Sequence, residues 1–179
     1  MKRKPITPGY HATGGFTLVE LLVTIAILAI VMAIAIPNIN TGRSLVVNQA
    51  REFNSSLNFA RNEAVNQSRV VVMCPSDDAS EDDPGCDETW HNGWVVYVDQ
   101  DNNGEAGAGE VLRRHTSLKG AVTIAASPAL TSISFDNRGF TDDASDFLFC
   151  SDADKASGRT VMLARSGRAM RSKVVSTCP

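Results

Sequence analysis

Three groups of side chains in this chain have types and spacings that could do chemistry. The first is Asp99-Gln100-Asp101-Asn102-Asn103-Gly104, followed six residues after the glycine by Glu110. Oxygen-bearing side chains at positions 1, 3 and 5, a glycine at 6 and a glutamate at 12 match a loop that wraps calcium, an ion that takes six or more oxygens. Asp99, Asp101, Asn103 and Glu110 would be the ligands. The flanks, Val95 to Val98 and Val111 to Arg114, are strand-like rather than helical, so the same residues could equally build a plain hairpin loop. The second group is cationic: Arg165, Arg168, Arg171 and Lys173 cluster around Gly167. A turn followed by a strand of period two would put Arg171 and Lys173 on one face. Arginine presents forked donors suited to phosphate. The same residues would also serve as a solvated edge strand or as a patch facing an acidic subunit.

The third group is four cysteines, Cys74, Cys86, Cys150 and Cys178, which allow three complete pairings. Cys74 with Cys86 would close an acidic loop rich in turn residues, and Cys150 with Cys178 would pin the C-terminal segment to a strand. Zinc is disfavoured, because no Cys-x-x-Cys occurs and His91 and His115 lack paired spacing. No nucleophile motif accompanies those histidines and no glycine-rich phosphate loop follows a strand, so the sequence points away from an enzyme.

The elements that must position these groups begin with an apolar run. Leu18 to Ile36 holds 19 residues, about 28 Å as a helix, close to the hydrocarbon thickness of a bilayer. It can span a membrane. Its one acid, Glu20, would be costly there unless paired or near the surface, which makes it a functional candidate; a first-turn acid also suits the helix dipole. Lys2, Arg3 and Lys4 place the leader on the cytoplasmic side and everything beyond Ile36 outside. In an ordinary secretory signal the small-residue cleavage site follows the apolar core. Here Gly14-Gly15 precedes it, so cutting there would release residues 1–15 and leave Phe16 as the new N-terminus. Pro37 ends or kinks the helix, and Gly42 is a second soft point.

Behind that basic leader, Gly15-Phe16-Thr17-Leu18-Val19-Glu20-Leu21-Leu22 resembles the class III leader of type IV pilins and type II secretion pseudopilins. The resemblance implies that a prepilin peptidase cleaves after Gly15 and methylates Phe16. It also implies that Glu20 guides docking into a growing filament by pairing with an N-terminal amine.

The remaining chain is long enough for one soluble domain with its own core and hardly for two. Formal charge is -3, from 17 Lys and Arg against 20 Asp and Glu; loss of the three leader cations makes it -6. The charge is unevenly spread. Between Cys74 and Glu110 stand eleven Asp or Glu and no Lys or Arg, whereas Lys155 to Lys173 holds six Lys or Arg and no acid, which suggests two different faces. From Asn38 to about Ser68 the pattern is helical, with Phe53, Leu57, Ala60 and Ala64 on one stripe. Beyond Arg69 eight short strands follow, at 70–74, 94–99, 111–115, 121–125, 132–136, 147–150, 160–164 and 169–175, separated by Gly, Asn, Asp and Ser. This is an α+β layout: a long N-terminal helix whose second half packs on an antiparallel β-sheet.

Ala60-Arg61-Asn62-Glu63-Ala64-Val65, Gly93-Trp94-Val95-Val96-Tyr97-Val98-Asp99, Phe135-Asp136-Asn137-Arg138-Gly139 and Ser166-Gly167-Arg168 are similar to successive blocks of the GspH/FimT family. That resemblance implies a pilin-like fold with a leader at 1–15, a transmembrane and filament-core helix at 16–37 and an exported domain at 38–179. It implies a minor pilin or pseudopilin, with other pilins as partners, taking part in initiation and assembly of a type IV pilus or a type II secretion pseudopilus. The expected location is the inner membrane, with the C-terminal domain periplasmic, or extracellular once assembled. Some FimT-like pilins bind DNA through a basic C-terminal motif, so the resemblance also offers DNA uptake through Arg165, Arg168, Arg171 and Lys173 as an alternative.

Overall fold

The computed structural model describes residues 15–35, 42–101, 103–107, 109–116, 122–153, 155–172, 177 and 178. The chain divides into two compact units, Met1–Ile39 and Asn40–Pro179. In the first, helix α1 covers Leu18–Ala35. Thr17 caps it: the Thr17 hydroxyl accepts the Glu20 backbone N–H at 3.2 Å and the Thr17 carbonyl accepts that of Leu21 at 3.1 Å. Thr17-x-x-Glu20 has the spacing of a capping box, which fixes where the helix starts and puts Glu20 in its first turn. Side chains from Leu18 to Val31 are exposed. Among the described residues no helix is long and apolar enough to cross a membrane; the span expected over Leu18 to Ile36 runs beyond them, and Pro37 lies outside them.

The second unit opens with α2, Gly42–Gln67. Val46, Ala50, Phe53, Leu57, Ala60 and Ala64 recur at steps of three and four and are all buried, the stripe that a helix needs to lie on a sheet. The helix stops because Ser68 takes a left-handed conformation, φ 52°. The Arg69 N–H then reaches the Ala64 carbonyl at 3.2 Å and the Ser68 N–H reaches that of Val65 at 3.4 Å, the paired bonds of a Schellman cap.

Eight strands follow: β1 Val71–Pro75, β2 Gly93–Val98, β3 Val111–Thr116, β4 Val122–Ser127, β5 Ile133–Phe135, β6 Ser145–Ser151, β7 Arg159–Leu163 and β8 Ala169–Arg171. Each overlaps a strand read from the sequence. The single sheet expected there is instead two four-stranded antiparallel sheets, ordered β3-β2-β1-β5 and β4-β6-β7-β8. Hairpin signals are local and look alike whether the next hairpin extends a sheet or starts another. The break is set by β5, which pairs Ser134 with Val72 on β1, while β4 pairs Ile124 with Phe149 on β6.

Phe53 of α2 is the centre of the main core. Its ring lies 5.4 Å from Trp90, 5.1 Å from Trp94, 4.8 Å from Phe147 and 5.4 Å from Phe149, within the range where edge and tilted aromatic pairs add to area burial. One helix residue thus holds groups from both sheets. β6 alternates buried and less buried positions, as a one-sided strand does, but β1 and β2 are buried at every position. Their outer face carries a second, smaller core of Val72, Cys74, Ala79, Val95, Tyr97 and Ala106. Two loops cover it, and those loops hold most of the acids.

Candidate functional site

The first loop joins β2 to β3. The Asp99 carboxylate accepts the N–H groups of Asn103 at 3.0 Å and Gly104 at 3.1 Å, and Asp101 accepts the Asn103 N–H at 3.2 Å. Gly104 has φ +78°, a left-handed turn position that glycine takes without strain. Glu110 is buried and closes the loop, accepting the Gln100 N–H at 2.7 Å and the Gly107 N–H at 3.2 Å. Carboxylate oxygens of Asp99, Asp101 and Glu110 lie within 4.8 Å of one another. The Asn103 amide is differently engaged: its oxygen accepts the Glu105 N–H at 2.7 Å and its nitrogen donates to Asp101 at 3.0 Å. Three of the four residues named from the spacing are therefore drawn together, and their hard oxygens are of the kind calcium takes.

The second loop is closed by a disulfide between Cys74 and Cys86. Arg114 on β3 holds it down by donating to the carbonyls of Ala79, Glu81 and Asp82. Asp87 accepts the Glu88 N–H, the Asn92 amide and the Thr89 hydroxyl; chiefly through the Glu88 N–H, its carboxyl is held below the usual value of 3.8. Tyr97 ties the two loops together. Its hydroxyl donates to the Gly104 carbonyl at 3.0 Å and lies 3.9 Å from the Cys86 sulfur. Burial, with Asp99, Glu110 and Glu105 nearby, pushes the Tyr97 hydroxyl up to about 12. Alternation along β2 would have pointed to Tyr97 as outward-facing, but it gives no hint of a loop lying over it.

The second disulfide joins Cys150 on β6 to Cys178. Arg165 and Arg168 flank Gly167 in the turn between β7 and β8, and Arg171 ends β8; all three are exposed. Lys173 lies outside the described residues. A further arginine, Arg61, meets this turn, and Arg138 immediately precedes Gly139, on which the turn packs, although no spacing in the sequence joins either to it. Gly167, at φ +73°, is so close to the turn after β5 that a Cβ there would run into the Gly139 carbonyl oxygen, well inside 3.0 Å. Arg61 of α2 donates its Nε–H to that same carbonyl at 3.0 Å. The Thr141 N–H reaches the Arg165 carbonyl at 3.0 Å. In the turn after β5, Asp136 pairs with Arg138 at 2.8 Å and accepts the Phe140 N–H at 2.8 Å, which keeps its carboxyl below the usual 3.8.

In the first unit, Gly15, Phe16 and Glu20 sit at the start of α1, with the Phe16 side chain exposed.

The family model described as type II transport protein GspH matches residues 49–167, and a prokaryotic N-terminal methylation motif matches residues 11–36. No curated protein sequence matches. Among solved structures, the type IV minor pilin FimU of Pseudomonas aeruginosa is 22% identical, with a TM-score of 0.60 over 78% of this chain and 98% of that one. The minor pseudopilin EpsH of the Vibrio cholerae type 2 secretion system is 11% identical, with a TM-score of 0.52 over 70% of this chain and 94% of that one. At these identities the likeness is one of fold, the helix on antiparallel sheets described above. The family model spans α2 from Gln49 and all the strands but β8, and the chain belongs to the type II transport protein GspH family.

Proposed function

We propose that this chain is a minor pilin or pseudopilin, a structural subunit that takes part in starting and building a type IV pilus or a type II secretion pseudopilus. The single observation that carries the reading is the family match over residues 49–167 directly behind a methylation motif at 11–36. The exposed apolar face of α1 supports it, since such a helix needs lipid or partner helices around it. On this reading α1 stores the subunit in the inner membrane and later packs into a filament core, with prepilin peptidase cutting between Gly15 and Phe16. Mass spectrometry of the membrane-extracted protein is expected to find an N-methylated chain starting at Phe16; a chain starting at Met1 would sink the reading. Glu20→Ala is expected to leave the second unit folded and to impair recovery of the subunit in sheared filaments.

A second reading rests on the converging carboxylates of the β2–β3 loop: calcium held by Asp99, Asp101 and Glu110, with Asn103 as the fourth residue of the motif. Calcium, and not magnesium, should raise the thermal midpoint, and Asp99→Asn with Asp101→Asn should abolish that rise. No shift with calcium would leave the loop a self-capped hairpin. DNA uptake has only the exposure of Arg165, Arg168 and Arg171 in its favour.

A further inference from the structure

The chain holds two Asn-Gly pairs, Asn92-Gly93 and Asn103-Gly104. An asparagine before glycine can lose its side-chain amide, because the next backbone nitrogen, with no Cβ to shield it, can reach the side-chain carbonyl carbon. The fold treats the two pairs differently. Gly93 is buried at the start of β2, where a Cβ would run into the carbonyl oxygens of His115 and Ser76, and its own carbonyl accepts the Ser76 N–H at 3.1 Å. The Asn92 amide is tied down, donating to Asp87 at 3.2 Å and to Thr89 at 2.9 Å.

Asn103 and Gly104 are exposed, and nothing lies within 4 Å of where a Gly104 Cβ would stand. Every group of the reaction has a partner there. The nucleophile is the Gly104 nitrogen, whose N–H donates to the Asp99 carboxylate at 3.1 Å; a carboxylate so placed can take the proton as the nitrogen attacks. The electrophile is the Asn103 amide carbon. Its oxygen accepts the Glu105 N–H at 2.7 Å, a backbone donor aimed where negative charge develops. The leaving group is the Asn103 amide nitrogen, which donates to Asp101 at 3.0 Å.

We propose that Asn103 is a self-modifying site, converted from amide to carboxylate in the folded protein by attack of the Gly104 nitrogen. A bond forms between that nitrogen and the Asn103 Cγ as the proton passes to Asp99. The Cγ–Nδ2 bond then breaks, and the departing nitrogen takes the proton from Asp99 and leaves as ammonia. Water opens the cyclic imide at either carbonyl, giving aspartate or its β-linked isomer, so water is consumed, ammonia is released and nothing is oxidised or reduced. An amide that donates to Asp101 is thereby replaced by a carboxylate that repels it. In the β-linked product the main chain also runs through the former side chain, which moves the Gly104 carbonyl away from the Tyr97 hydroxyl that donates to it at 3.0 Å. Conversion loosens the loop over the smaller core. It needs neither a partner subunit nor a cation, so it stands or falls apart from both readings above.

The full chain in detergent micelles, with a chelator present, is incubated at neutral pH either folded or unfolded in guanidinium. Reduction and chymotrypsin, which cuts after Trp94 and Tyr97, then put the two pairs on separate peptides, and mass spectrometry reads the exchange of ammonia for water. Asn103 is expected to convert about tenfold faster or more in the folded chain than in the unfolded one, and Asn92 more slowly. Asp99→Asn should return Asn103 to the unfolded rate. Tyr97→Phe loosens the same loop without touching a reacting group, and should keep the acceleration. Conversion of Asn103 no faster in the folded chain than in the unfolded one overturns the proposal. So does acceleration that survives Asp99→Asn, or that Tyr97→Phe removes as fully.

Discussion

Gly167→Ala offers a sharp test of how the two sheets are held together. At φ +73°, any L-residue at this position costs about 1–2 kcal/mol of backbone energy. The methyl group would also collide with the Gly139 oxygen, so the turns must part, and overpacking of that kind costs about 1–3 kcal/mol more. Gly104 is the control: its φ of +78° carries the same backbone term, but a Cβ there meets nothing within 4 Å. Gly167→Ala is therefore expected to lose about 2–5 kcal/mol and Gly104→Ala about 1–2, against a total stability of about 5–15 kcal/mol for a domain. At about 3 °C per kcal/mol for a domain of this size, the midpoints should fall by about 10 °C and about 5 °C. Near-ultraviolet circular dichroism follows the loss, because Trp90 and Trp94 are buried against Phe53. Equal losses for the two variants would mean that the turns after β5 and β7 do not touch, and the shared arginine surface would fall with them.

Tyr97 keeps its proton more tightly in the fold, up to about 12 against an ordinary 10.0. Its contribution is thus complete below pH 10 and lost as pH rises toward 12, and Tyr97→Phe should remove that alkaline loss; an unchanged alkaline limb would refute it. Removing the Cys150–Cys178 link, which spans 28 residues, should cost about 3–4 kcal/mol, and removing Cys74–Cys86, which spans 12, about 3, both readable by denaturant titration. Titration with duplex DNA is expected to show no affinity falling with salt at a log–log slope of about -2.7, the value three phosphate contacts would give. Such a slope, erased by Arg168→Ala with Arg171→Ala, would restore the nucleic-acid reading.

Much of this fold is legible where a signal is local. Phe53, Leu57, Ala60 and Ala64 mark one face of α2 by their spacing, and all four are fully buried. The strands announce themselves by β-branched runs between turn residues, and Thr17-x-x-Glu20 marks the start of α1. The disulfide pairs follow from loop composition, with Cys74 and Cys86 at the two ends of one acidic loop. What could not be read is how strands are shared between sheets. That depends on β5 crossing back to β1, a pairing between positions about sixty residues apart with no local mark.

The same distinction separates the two candidate sites. The β2–β3 loop draws its carboxylates from twelve consecutive residues, so spacing alone finds Asp99, Asp101 and Glu110, and the structure differs mainly in turning the Asn103 amide onto its own neighbours. The cationic surface draws on α2, the turn after β5 and the turn after β7. Spacing finds only its last third. Its joining device is a pair of left-handed glycines, Gly139 at φ +80° and Gly167 at φ +73°, packed so closely that a Cβ on Gly167 would strike the Gly139 oxygen and one on Gly139 would crowd the side chains of Val65 and Arg61. A glycine followed or preceded by arginine reads in sequence as a turn and nothing more. Two such turns become one surface because Gly167 packs on Gly139, the Thr141 N–H reaches the Arg165 carbonyl and Arg61 reaches out from the helix to the Gly139 carbonyl, and that reach is a property of how α2 lies across both sheets.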